Sequence, residues 1–102
     1  MTRISVVAIP PLDNNSWRYD VEVIEIDGGG PKTIHEVTMD KDYYVDLTEG
    51  KHVIPEELVK KSFEFLLERE FRDSILRQFD IAQISDYFPE YENEIKKALV
   101  NI

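Results

Sequence analysis

A chain of 102 residues, 42% of them hydrophobic and 11% aromatic, is the size of one ordinary domain and carries enough apolar side chains for a packed interior, which excludes a disordered chain. Its 21 acidic against 12 basic residues give a formal net charge of -9, a field that repels phosphate backbones and anionic lipid, so neither nucleic acid nor a membrane is an expected partner. With no cysteine, disulfides, thiolate metal sites and thiol nucleophiles are excluded, and the fold stands on packing.

The apolar run at residues 4–9 is broken by Pro10 and Pro11, too short for a signal-peptide core, and nothing in the chain approaches the ~20 apolar residues of a membrane span. A cytoplasmic address is the expectation. The same run is a candidate strand over about 3–9, ended by a proline that cannot donate to a ladder, and Asp13, Asn14, Asn15 and Ser16 supply a turn. Trp17, Tyr19, Val21 and Val23 then alternate with Arg18, Asp20 and Glu22, the period of a strand with one buried face, over about 17–27. Ile24 and Ile26 break the alternation, which implies a bulge near Val23 and Ile24 or a strand end covered on both faces. Gly28, Gly29, Gly30 and Pro31 make a turn, and a returning strand over 32–39 places Thr33, His35, Val37 and Met39 on one face.

Past residue 40 the pattern becomes helical. Asp40 can cap a short helix over 41–47 that ends near Gly50. Pro55, followed by Glu56 and Glu57, opens a longer helix over 55–70. Its apolar positions Leu58, Val59, Ser62, Phe63, Phe65, Leu66 and Leu67 span about 200°, so this helix packs on two sides. Glu57 with Lys61 and Lys60 with Glu64 have i,i+4 spacing on its exposed face, and Arg69 lays its stem along Leu58 and Phe65 to reach an acid. Asp73 and Asp80 are placed to cap helices over 74–79 and 81–88, and Pro89 to open a last one over 90–101. The reading is a single α+β domain: an antiparallel three-stranded sheet packed against three to four helices.

The strings S-F-E-F-L-L-E-R-E at 62–70, S-I-L-R-Q-F-D at 74–80 and Y-F-P-E-Y at 87–91 resemble a family of small uncharacterised prokaryotic proteins, over about residues 35–97. Phe71 stands where similar chains carry proline. The resemblance implies no activity and no site residue.

Few residues point to chemistry. His35, Glu36 and His52 are of the types that make a zinc or acid-base site, and Asp40, Asp42 and Asp46 crowd together as ligands for a hard cation would. No HExxH spacing and no calcium-loop glycine and glutamate support either, and a core-edge His35 and a capping Asp40 explain the same residues. The glycines at 28–30 precede a strand instead of opening a helix, so they form no phosphate cradle. Residues 73–102 hold six acids against three bases, which opposes a helix-turn-helix reading, and Trp17 and Tyr19 fail as a base-stacking platform for the same electrostatic reason. Ser62, Ser74 and Ser85 lie on or at helix starts and none sits in a nucleophile elbow.

The function that follows is a small acidic module that binds a protein partner or a second copy of itself, without catalysis or cofactor. Phe79, Tyr87, Phe88 and Tyr91 are its candidate interface, because Tyr and Phe favour interface cores. The alternative is a small enzyme or metal-dependent protein using His35, Glu36 and the carboxylates of Asp40, Asp42 and Asp46, with His35, Glu36 and Asp42 as the candidate polar site.

Overall fold

The computed structural model describes residues 2–25 and 32–100, with Val100 by its backbone alone. The glycine turn expected at 28–31 lies outside the described residues. Three strands run first, β1 (Thr2–Ile9), β2 (Ser16–Glu25) and β3 (Thr33–Asp40), followed by helices α1 (Lys41–Thr48) and α2 (Pro55–Leu67). A 3-10 turn at Arg72–Ser74 leads into a short strand β4 (Gln78–Asp80). A second 3-10 turn at Ile81–Gln83 continues into α3 (Ile84–Tyr87), and α4 (Tyr91–Val100) ends the described chain.

The α+β class holds, but the sheet has four strands in the order β1-β2-β3-β4 and is mixed: β1, β2 and β3 are antiparallel neighbours, and β4 runs parallel to β3. The helix expected over 74–79 is therefore corrected to a 3-10 turn and a strand. Tertiary pairing overrides a locally helical pattern there. The Glu36 N–H donates to the Arg77 carbonyl at 2.8 Å, the Thr38 hydroxyl donates to Asp80 Oδ1 at 2.6 Å, and Phe79 enters the core opposite Val37.

The expected bulge is absent. The β1–β2 register runs unbroken through Ile4↔Val23 and Arg3↔Ile24, which leaves Ile24 on the face away from the helices. Strand alternation sends Tyr19, Val21 and Val23 of β2 and Thr33, His35, Val37 and Met39 of β3 to one buried face, joined by Ile4 and Val6 of β1. The opposite face carries a polar lattice. There Glu36 takes Arg18 at 3.5 Å and Gln78 at 3.2 Å, and Lys32 pairs with Glu22 at 3.1 Å.

α2 packs on two sides as its wide apolar arc requires, against β1 and against α4. Leu58, Val59, Ser62, Phe63, Phe65 and Leu66 are all buried. It ends at Leu67, three residues earlier than its composition suggests, because the Arg69 and Glu70 amides both close onto the Leu66 carbonyl. The charged face pairs Lys61 with Glu64 at i,i+3 instead of with Glu57. Arg69 lies 3.6 Å over the Phe65 ring and donates from Nε to Glu90 at 3.0 Å, tying the end of α2 to the turn before α4. The Glu90 carboxyl sits below the usual carboxylate range, held there by its own backbone amide and then by Arg69.

Asp40 occupies the N-cap of α1 without a side-chain capping bond, so the expected cap is positional only. Asp80 does cap: it accepts from the Ala82 amide at 3.0 Å while Gln83 Oε1 accepts from the Asp80 amide at 2.7 Å, a capping box. Asp73 lies inside its 3-10 turn and caps nothing. Glu49 and Gly50 end α1 with positive φ of 53° and 79°, and the glycine meets this demand without a side-chain clash.

Two buried hydroxyls bridge the helices. Ser62 donates to the Leu58 carbonyl at 2.8 Å, so the Tyr91 hydroxyl, 2.6 Å from Ser62 Oγ, is the donor between them. Burial pushes the Tyr91 phenol well above its ordinary range, which keeps it a donor at any ordinary pH. Tyr91→Phe removes one hydrogen bond and leaves Ser62 with its carbonyl partner, so unfolding in urea should show a loss of about 1 kcal/mol.

Candidate functional site

Where α2 ends, the chain turns through residues 68–77 before it enters β4, and α3 faces that turn across a gap. The gap is a depression of about 330 Å³. Leu66, Ile75, Phe79 and Ile84 form its buried floor, Phe88 lines one wall, and Leu76 and Tyr87 stand at its rim, 48% and 64% exposed. Three polar residues, Glu70, Ser74 and Gln83, complete the lining. The Glu70 carboxylate has no ion-pair or hydrogen-bond partner among the described residues. An apolar cup of this size with a few polar groups around it has the make-up of a ligand-binding depression.

A larger hollow of about 580 Å³ lies between α2 and α4, but charged side chains rim it and two of its pairs, Lys61–Glu64 and Lys97–Glu94, satisfy one another. It offers water a surface already neutralised.

The candidate aromatic residues separate. Phe79, Tyr87 and Phe88 all line the 330 Å³ depression, whereas Tyr91 is fully enclosed, edge-on to Phe65 at 5.2 Å and bonded to Ser62. Leu66, Ile75 and Leu76 belong to the depression as well. Their apolar character is visible in the sequence, but their convergence depends on β4 folding back beside β3.

The candidate polar residues are not brought together. His35 and Glu36 are consecutive on β3 and point to opposite faces of the sheet. His35 is fully buried: Nδ1 lies 2.8 Å from the Leu76 carbonyl, Nε2 lies 3.0 Å from Thr33 Oγ1, and the ring packs at 5.4 Å from Phe63. A carbonyl only accepts, so the neutral ring carries its proton on Nδ1 and takes the Thr33 hydroxyl on Nε2. Burial lowers its pKa below the ordinary histidine value and outweighs the carbonyl, which favours the charged form. His35 is thereby a strut that anchors the backbone of Leu76, whose side chain forms the rim of the depression.

Glu36 lies in the polar lattice of the open face, Asp40, Asp42 and Asp46 are exposed around α1, and His52 is exposed in the loop between α1 and α2. Among the described residues no three His, Asp or Glu side chains converge as metal ligands would. Among the same residues no helix is long and apolar enough to cross a membrane. No known protein family, curated protein or solved structure matches this chain.

Proposed function

We propose that the protein is a non-catalytic binding module that takes a segment of a partner protein into the depression between α2, β4 and α3. The occupant is a large apolar side chain flanked by a Lys or Arg. The observation that carries this reading is the pairing of Leu76 and Tyr87, both exposed, over a buried apolar floor, with the free carboxylate of Glu70 at the edge. Apolar surface left in water around a concavity is a mark of an interaction site, and aromatic residues are favoured in such sites. The net charge of -9 selects for a basic flank by steering it towards the protein.

The test is selection from a random-peptide display library against the wild-type protein, followed by binding to Leu76→Glu/Tyr87→Glu. Both residues are exposed, so the double variant should keep its melting temperature. Selected peptides should carry an aromatic or leucine anchor beside a basic residue and should lose at least about tenfold in affinity to the double variant. Peptides without such an anchor, or equal binding to both proteins, would refute the reading.

A further inference from the structure

The two edges of the sheet are built differently. β4 closes one edge with three residues and turns at once into a 3-10 helix, which leaves little backbone to template another strand. β1 forms the other edge with eight residues, Thr2–Ile9, paired on one side only among the described residues and in unbroken register. It has no internal proline, no bulge and no charge pointing into the core, the devices that usually protect an edge. In a chain of charge -9 it also carries no acidic residue and a single basic one, Arg3.

We infer that β1 pairs antiparallel with β1 of a second copy, joining two four-stranded sheets into one of eight strands. A two-fold axis perpendicular to the sheet keeps both helical layers on one side only if residues of the same face meet, as when Ser5 faces Ser5 of the second copy. Ile4 then faces the second copy's Val6 and extends the apolar face across the seam, while Arg3 faces its Val7 on the open side. The same register satisfies the backbone, because alternate residues of an edge strand turn both N–H and C=O outward.

Charge favours this register. Arg3 and Asp20 lie on the open face, and neither has an ion-pair or hydrogen-bond partner among the described residues. Within one chain they stand opposite Ile24 and Val7, four residues apart along β1, roughly 13 Å. Across the two-fold axis Arg3 of one copy stands in the same row as Asp20 of the other, two strand spacings or about 10 Å between backbones, with only Val7 between. A long arginine reaching over a valine to a short aspartate closes that gap, and the symmetry makes the pair twice.

Sedimentation of the wild-type protein from micromolar to millimolar concentration should show a species of twice the monomer mass. Arg3→Glu should weaken the dimer by about tenfold or more, and the swap Arg3→Glu/Asp20→Arg should restore it, because the same pair is rebuilt with its charges exchanged. Ser5→Lys/Val7→Lys, which places like charges along the seam on the exposed face, should give only monomer with an unchanged far-ultraviolet circular dichroism spectrum. A wild-type protein that stays monomeric throughout the range overturns the inference, as does a dimer that persists in Ser5→Lys/Val7→Lys. Failure of the charge swap to restore what Arg3→Glu removes overturns the register.

Discussion

Phe63→Ala is expected to cost about 3–5 kcal/mol, a large share of the 5–15 kcal/mol that holds an ordinary domain together. Phe63 is fully buried near the centre of α2, 5.4 Å from the His35 ring and 5.9 Å from Phe79, so it packs against both β3 and β4. Its removal leaves a cavity among groups from α2, β3 and β4 that cannot collapse together, because each strand is held in register by its own ladder. Thermal denaturation should show a midpoint lowered by about 4–8 °C for each kcal/mol lost. Phe71→Ala provides the contrast: that ring is 58% exposed, and its removal should change stability by no more than about 0.5 kcal/mol. A small effect at Phe63 would mean that α2 does not dock as described.

His35 carries the second large effect, and it depends on pH. His35→Ala removes a fully buried ring, strands the buried Thr33 hydroxyl and takes the side-chain partner from the Leu76 carbonyl, a loss of about 3 kcal/mol at neutral pH. In the wild type the folded-state pKa is depressed, so the folded chain binds fewer protons than the unfolded one once pH falls below the ordinary value of 6.5. The stabilisation is therefore complete above pH 6.5 and declines as pH falls towards the folded pKa, with a slope of up to about 1.4 kcal/mol per pH unit for this one proton. Urea midpoints between pH 7.5 and pH 5 should follow this slope in the wild type and lose it in His35→Gln, which keeps an amide in place of the titrating ring. Equal slopes in the two proteins would mean that the imidazole is open to water.

The parts of the fold that were legible in the sequence are those governed by local periodicity. Alternation at Tyr19, Val21 and Val23 places β2, and the run from Pro55 with its broad apolar arc places α2, because in both segments the buried face repeats within the element itself. β4 was hidden: three residues carry no period, and Phe79 is strand-like only because Val37 lies beside it. Ile24 suggested a bulge because an apolar side chain on an uncovered face looks, in sequence, like a change of phase. The depression was half legible. Phe79, Tyr87 and Phe88 stand out by composition, yet nothing local separates them from Tyr91, whose burial follows from Ser62 and Phe65 lying across from it on another helix.

The parallel pairing of β3 with β4 also sets an order of events during folding. Thr38 and Asp80 are 42 residues apart in the chain, and both α1 and α2 lie between them. The hairpins of β1, β2 and β3 need only short closures, whereas β3 gains its second neighbour only after a long one. During synthesis, Glu36 and Thr38 remain without their β4 partners until the segment that supplies Arg77 and Asp80 emerges, and the depression, whose floor includes Phe79, is assembled only after that pairing.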